Sequence, residues 1–160
     1  MFNLLLTIGQ WLESTSFGTA VRNTIWGYPY VQLIHFGGLS LWVGTIAALD
    51  LRLLGLAGRR HTAEELAEQF FPWTWTGLGI AVLGGILLFS GIARTYIQNP
   101  AFQVKFPLVL LGIAYHIVVL RNVSKWGRSQ ATPPLAKLAG GLELALWLCV
   151  VTAATYIPNY

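Results

Sequence analysis

Between Arg22 and Asp50 the chain runs for 27 residues without a formal charge. A helix of that length spans the hydrocarbon core of a bilayer, about 30 Å thick. Inside it sits His35, which is costly to bury in hydrocarbon unless a partner faces it. Trp42 and Gly44 follow, and Asp50 and Arg52 close the stretch. At about 100° per residue, Trp42 lies roughly 20° and Asp50 roughly 60° from the direction of His35. One helix therefore carries an ionisable group toward each end of roughly one face.

Composition extends this to the whole chain. Of the 160 residues 55% are apolar and 10% charged, where a soluble domain carries about 25% charge. The expected class is all-α: one integral membrane domain, 1–160, folded as a four-helix bundle with a short N-terminal interfacial helix. The net charge of +4 does not mark a nucleic-acid partner, because the basic residues gather in two loops as membrane topology demands. Cys149 is the single cysteine, which leaves no intrachain disulfide and no thiolate cluster. No basic residues precede the first apolar ones, so a cleaved signal peptide is not expected.

In residues 1–21, Leu4, Leu5, Ile8, Trp11 and Leu12 share a helical face opposite Asn3, Thr7, Gln10 and Glu13. That pattern suits a helix lying in the membrane interface, or one packed on a partner subunit. Trp26, Tyr28 and Tyr30 read as an aromatic belt at the mouth of the first span, about 28–54. Gly37, Ser40, Gly44 and Ala48 have the rhythm of a close helix contact. Thr62 and Glu65 have capping-box spacing, predicting a short amphipathic helix from Ala63 that Pro72 stops. The second span is placed at 73–93, with Gly77, Gly84 and Gly91 as a packing stripe. The third is placed at 102–120, where Lys105, Leu108, Val109, Gly112 and His116 share a face. Pro133 and Pro134 are expected to break any helix before the fourth, 138–157, which holds Glu143 and, one turn on, Trp147.

Loops 51–71 and 121–140 hold Arg52, Arg59, Arg60, Arg121, Lys125, Arg128 and Lys137, against Arg22, Arg94 and Lys105 on the other side. The positive-inside rule then puts both loops in the cytoplasm and both termini outside. His35 and Lys105 fall near the outer end, and Asp50, His116 and Glu143 near the inner end. His35 and Asp50 differ in depth by roughly 22 Å at about 1.5 Å per residue.

His35 admits three readings: a structural histidine bonded to a neighbouring helix, a metal or haem ligand, or a proton relay. His116 is the second ligand candidate, with Trp42, Asp50, Lys105 and Glu143 in support. One haem bridging His35 and His116 is disfavoured by their different depths. His61 reads as a solvated loop residue. Asp50 and Arg52, two apart, cannot face each other; Asp50 is expected to pair with a basic group on another helix, Arg52 to snorkel to the headgroups, and Glu143 and His116 are candidates for an inner pair. There is no nucleophile-elbow serine, no HExxH and no carboxylate pair on one face, so an enzyme is not expected.

His35, Trp42 and Gly44 in the frame HFGGLSLWVG, Lys105 leading to Leu120–Asn122, and Glu143 in LELALWL together resemble the copper-resistance D family, over roughly residues 30 to 155. The resemblance implies copper handling across a bacterial inner membrane. Soft thiolate or thioether donors suit copper(I), and this chain offers Cys149 and the initiator Met1. Three functions stay open: metal handling or transport, a cytochrome b-like haem subunit for electron transfer, and a structural accessory subunit. Copper and haem b are the cofactors to weigh; the bilayer, other membrane subunits or further copies of the chain are the expected partners.

Overall fold

A computed structural model describes residues 2–58, 60–126 and 132–159. Met1, Arg59 and Arg128 lie outside the described residues. The elements are α1 (Phe2–Ser14), α2 (Ser16–Asn23), α3 (Gly27–Leu53), α4 (Ala63–Gly91), α5 (Ala93–Gln98), α6 (Pro100–Trp126), α7 (Pro134–Tyr156) and a closing 3-10 turn (Ile157–Asn159). Four of them, α3, α4, α6 and α7, are long and apolar enough to cross a membrane. They form an up-down bundle in which α3 packs most closely on α4, α6 on α7, and α7 on α3. The short helices and the C-terminal turn share one end, the terminal end, where Asn99 Nδ2 donates to the Ile157 carbonyl at 2.8 Å. The loops after α3 and α6 share the other, the loop end.

The N-terminal segment is two helices, where the apolar pattern suggested one. Thr15 breaks it: its hydroxyl accepts from the Gly18 N–H at 3.1 Å as an N-cap. Gly18 is needed there, since a Cβ would stand 2.5 Å from the Leu12 carbonyl oxygen and 2.6 Å from that of Ser90. Leu4, Leu5, Ile8 and Trp11 face outward, while Glu13 is buried and accepts from Arg94 Nε at 3.0 Å.

One seam joins α3 to α4. Opposite each other stand His35 and Gly84, Gly38 and Ala81, Trp42 and Gly77, then Thr45 and Thr74, whose hydroxyls bond at 2.8 Å. Steps of three and four on both helices are the signature of knobs packing along a left-handed crossing. A Cβ on Gly38 would lie 2.5 Å from the Ala81 nitrogen, and one on Gly77 2.7 Å from the Trp42 nitrogen. The expected small-residue face is therefore displaced: Gly37 and Gly44 meet nothing within 4 Å, and Gly38 makes the contact. On α4, Gly77 and Gly84 face α3, while Gly91 faces Val21 of α2.

Three helix boundaries differ from the sequence expectation. Pro72 does not stop a helix but lies inside α4. The capping box, with Thr62 and Glu65 bonded both ways at 3.1 and 2.9 Å, starts the helix. Buried Leu66 and Ala67 before the proline, and Thr74 and Gly77 after it, then hold the helix straight through. Arg121 and Lys125 belong to the end of α6, not to a loop. Pro134 opens α7 instead of breaking it, because a first-turn residue needs no N–H partner.

Packing in a bilayer lacks a hydrophobic drive between helices, so the α3–α4 seam depends on backbone approach. Gly38→Ala is expected to lower the thermal midpoint in detergent, as overpacking costs about 1–3 kcal/mol. Gly44→Ala, with open space around it, should hold or raise that midpoint through helix propensity. Equal midpoints for the two variants would mean that the seam does not hold the pair together.

Candidate functional site

Three layers stack along the bundle, and the ionisable residues occupy the outer two of them. Toward the terminal end, His35 Nδ1 lies 2.7 Å from the Ala81 carbonyl oxygen. A carbonyl only accepts, so Nδ1 carries the proton and donates. Nε2 is then the lone-pair nitrogen of the neutral ring, and it has no hydrogen-bond partner among the described residues. Glycines make room for the ring: a Cβ on Gly84 would lie 2.9 Å from His35 Cβ, and one on Gly85 3.2 Å from its Cε1. Lys105 of α6 is near enough for its charge to be felt at the imidazole.

The middle layer is apolar. Trp42 and Trp147 meet edge to face, ring centroids 4.6 Å apart, with Ile46 and Val150 buried beside them. Such a pair contributes about 0.5–1.5 kcal/mol beyond its burial. Gly112 of α6 admits the Trp147 ring, since a Cβ there would lie 3.0 Å from it. Trp42 thus separates His35 from the deeper charges and does not line a site with it.

Toward the loop end lie Asp50 of α3, His116 of α6 and Glu143 of α7, 0%, 3% and 0% exposed. His116 Nδ1 and Glu143 Oε1 are 2.8 Å apart. Asp50 lies against Glu143, near enough for a carboxyl–carboxylate hydrogen bond; with both acids ionised no donor stands between them, and both Asp50 oxygens lack a partner. Glu143 Oε2 and His116 Nε2 are equally unpartnered. The helices come together here because Gly140 of α7 sits on α3, where a Cβ would lie 3.1 Å from the Asp50 carbonyl oxygen. Lys105 and His116, one face of one helix, end up in different layers.

Arg52 does not snorkel. It is 1% exposed and turned inward, donating from Nε to the His61 carbonyl at 2.6 Å and from an Nη to the Thr132 hydroxyl at 3.0 Å. It joins the two loops because their acceptors lie at its own depth. His61 is exposed and stands 3.7 Å from Glu65. Among the described residues no three His, Cys, Asp or Glu side chains are grouped to hold a metal ion. His35 and His116 are ligand candidates in separate places, and His116 already holds Glu143. Sequence reasoning passed over Gly85 and the Ala81 carbonyl; the antiparallel register of 38 on 81 and 42 on 77 is the signal that finds them.

The family model that matches this chain covers residues 9–159 and is described as a family of unknown function, DUF6644; the chain belongs to that family. It is also similar to the copper transport protein CutJ of Bacillus subtilis (strain 168), 28% identical over 141 residues, which are 81% of this chain and 26% of that protein. The chain thus spans about a quarter of the length of that relative. No solved structure matches it.

The His116–Glu143 pair can be tested for coupling. His116→Leu leaves a buried carboxyl without its partner and is expected to cost about 1–3 kcal/mol in unfolding free energy. Replacing both residues by leucine removes the orphan and should recover much of that loss. A double variant no more stable than the single one would show that the bond contributes nothing specific.

Proposed function

We propose that this membrane protein handles copper as cargo, with His35 as the metal-facing imidazole and the terminal end of the bundle outside the cell. The observation that carries the reading is the hydrogen bond from His35 Nδ1 to the Ala81 carbonyl at 2.7 Å. Metal-binding histidines are commonly held in this way, the second nitrogen donating to a carbonyl or carboxylate so that the first points its lone pair at the metal. The Gly84–Gly85 cradle supports it, because it gives the ring a seat without filling the space around it. Imidazole is a competent copper ligand. With no three-donor group among the described residues, His35 suits a cargo ion that docks and leaves better than a closed structural centre. The name of CutJ, copper transport protein, and the resemblance of the HFGGLSLWVG frame to the copper-resistance D family support the same cargo.

His35→Gln keeps a donor and an acceptor but is a poor metal ligand. Purified protein titrated with copper should bind it in the wild type and lose that binding in the variant, while the thermal midpoint stays close to the wild-type value. Unchanged copper stoichiometry in the variant sinks the reading. A Soret band in protein isolated from its native membrane would move His35 to haem ligation and the protein to electron transfer.

The orientation belongs to the same proposal: the inner membrane of a bacterium, both termini outside. It rests on the cations of the loop end, Arg52, Arg60, Arg121, Lys125 and Lys137 among the described residues, outnumbering Arg22, Arg94 and Lys105. A cysteine in place of Arg60, in a Cys149→Ser background, should react with an impermeant maleimide only after the membrane is opened. Labelling of intact spheroplasts would reverse the orientation.

A further inference from the structure

The loop-end cluster plays no part in the His35 reading, and its chemistry points elsewhere. Two carboxyls and an imidazole meet in the core, Asp50 and Glu143 both 0% exposed and His116 3%. Four of their polar atoms have no partner: both oxygens of Asp50, Glu143 Oε2 and His116 Nε2. Trp147, one turn along α7 from Glu143, adds a buried and unpartnered indole N–H. A bundle held only by packing has no reason to bury so many unsatisfied groups, each of which costs about 1–3 kcal/mol.

Among the described residues, no element packed around the cluster brings a compensating charge to its carboxyls. From α3 comes Asp50 itself; Arg52 is turned to the loops. From α6 come His116 and Tyr115, whose hydroxyl donates to the Ala139 carbonyl at 3.3 Å. From α7 comes Glu143. The α4 side of this end is apolar, with Leu66 and Ala67, and its Glu64 and Glu68 line an outer groove against α6. No Lys or Arg bonds either carboxyl among the described residues.

Charge balance then limits what the cluster can hold. Two adjacent carboxylates in a water-poor core cannot both stay ionised against a neutral imidazole. Neutrality is reached either with both acids protonated, or with one acid protonated and His116 protonated against the other carboxylate. Both arrangements add two protons to the pair of carboxylates and neutral imidazole, and both keep at least one carboxylic acid. A metal ion in their place would need converging donors, and the three side chains are not grouped for one.

We infer that Asp50, Glu143 and His116 form an occluded proton-binding site at the α3–α6–α7 junction, with the proton as its ligand. Loss of one proton leaves a net negative charge between α3 and α7 where Gly140 brings them into contact. The charge state of the site is thereby linked to the closeness of these two helices. The inference does not depend on copper binding at His35.

Infrared spectroscopy of the purified protein reads the protons directly. The wild type at neutral pH should show a protonated carboxylic C=O band that shifts in deuterated buffer. Asp50→Asn should remove its share of that band: all of it where Glu143 then ionises against a protonated His116, part of it where Glu143 stays protonated beside a neutral imidazole, and an unchanged band overturns the site. The Asp50→Asn/Glu143→Gln double variant, which has no acid left in the cluster, should lack it, and is read if the single variant fails to fold. His35→Gln should leave the band untouched, so a failed copper test and a failed proton test are told apart. Absence of any protonated carboxyl in the wild type overturns the site. So does persistence of the band in the double variant, or its loss on addition of a stoichiometric metal ion.

Discussion

The close contact between α3 and α4 is what the rest of the bundle is built on. Lipid tails are as apolar as leucine, so helices in a bilayer gain little by hiding apolar faces from it. What remains is contact between backbones, and Gly38 and Gly77 allow it at distances where any side chain would collide. Those glycines settle the register of the pair. The register in turn sets His35 against Gly84 and Gly85 and gives its Nδ1 the Ala81 carbonyl. A terminal-end histidine with a defined open nitrogen is therefore a consequence of packing several turns away.

The second constraint is the separation of charge by depth. Trp42 and Trp147 fill the middle of the bundle with Ile46 and Val150. His35 and Lys105 face one end; Asp50, His116 and Glu143 face the other. The cargo ion and the protons proposed above would engage opposite ends of one helix, α3, with the Trp42–Trp147 pair between them.

Much of this architecture was legible in the residues. Four apolar stretches, the capping box at Thr62 and the two layers of ionisable groups follow from hydropathy, cap chemistry and the rise of a helix. The partners were harder to read. Arg52 looked like a headgroup anchor until the two loops offered it acceptors. Pro72 and Pro134 looked like breaks, yet one lies within a packed helix and the other opens one. Proline disfavours helix interiors only in proportion to what else holds the helix, and burial on both sides is invisible in a local window.

By itself the sequence determined the all-α class, the number of long apolar helices and the order of the ionisable residues along each, because those depend on sums along one chain and on a fixed rise per residue. Which face meets which neighbour was decided by the tertiary structure alone. Each residue turns a helix by about 100°, so an error of one position moves a contact to another side of the bundle. Gly37 and Gly38 are one position apart; one faces open space and the other touches α4. The pairing of α6 with α7 brought Glu143 within 2.8 Å of His116, a distance that depends on two helices at once and is written in neither.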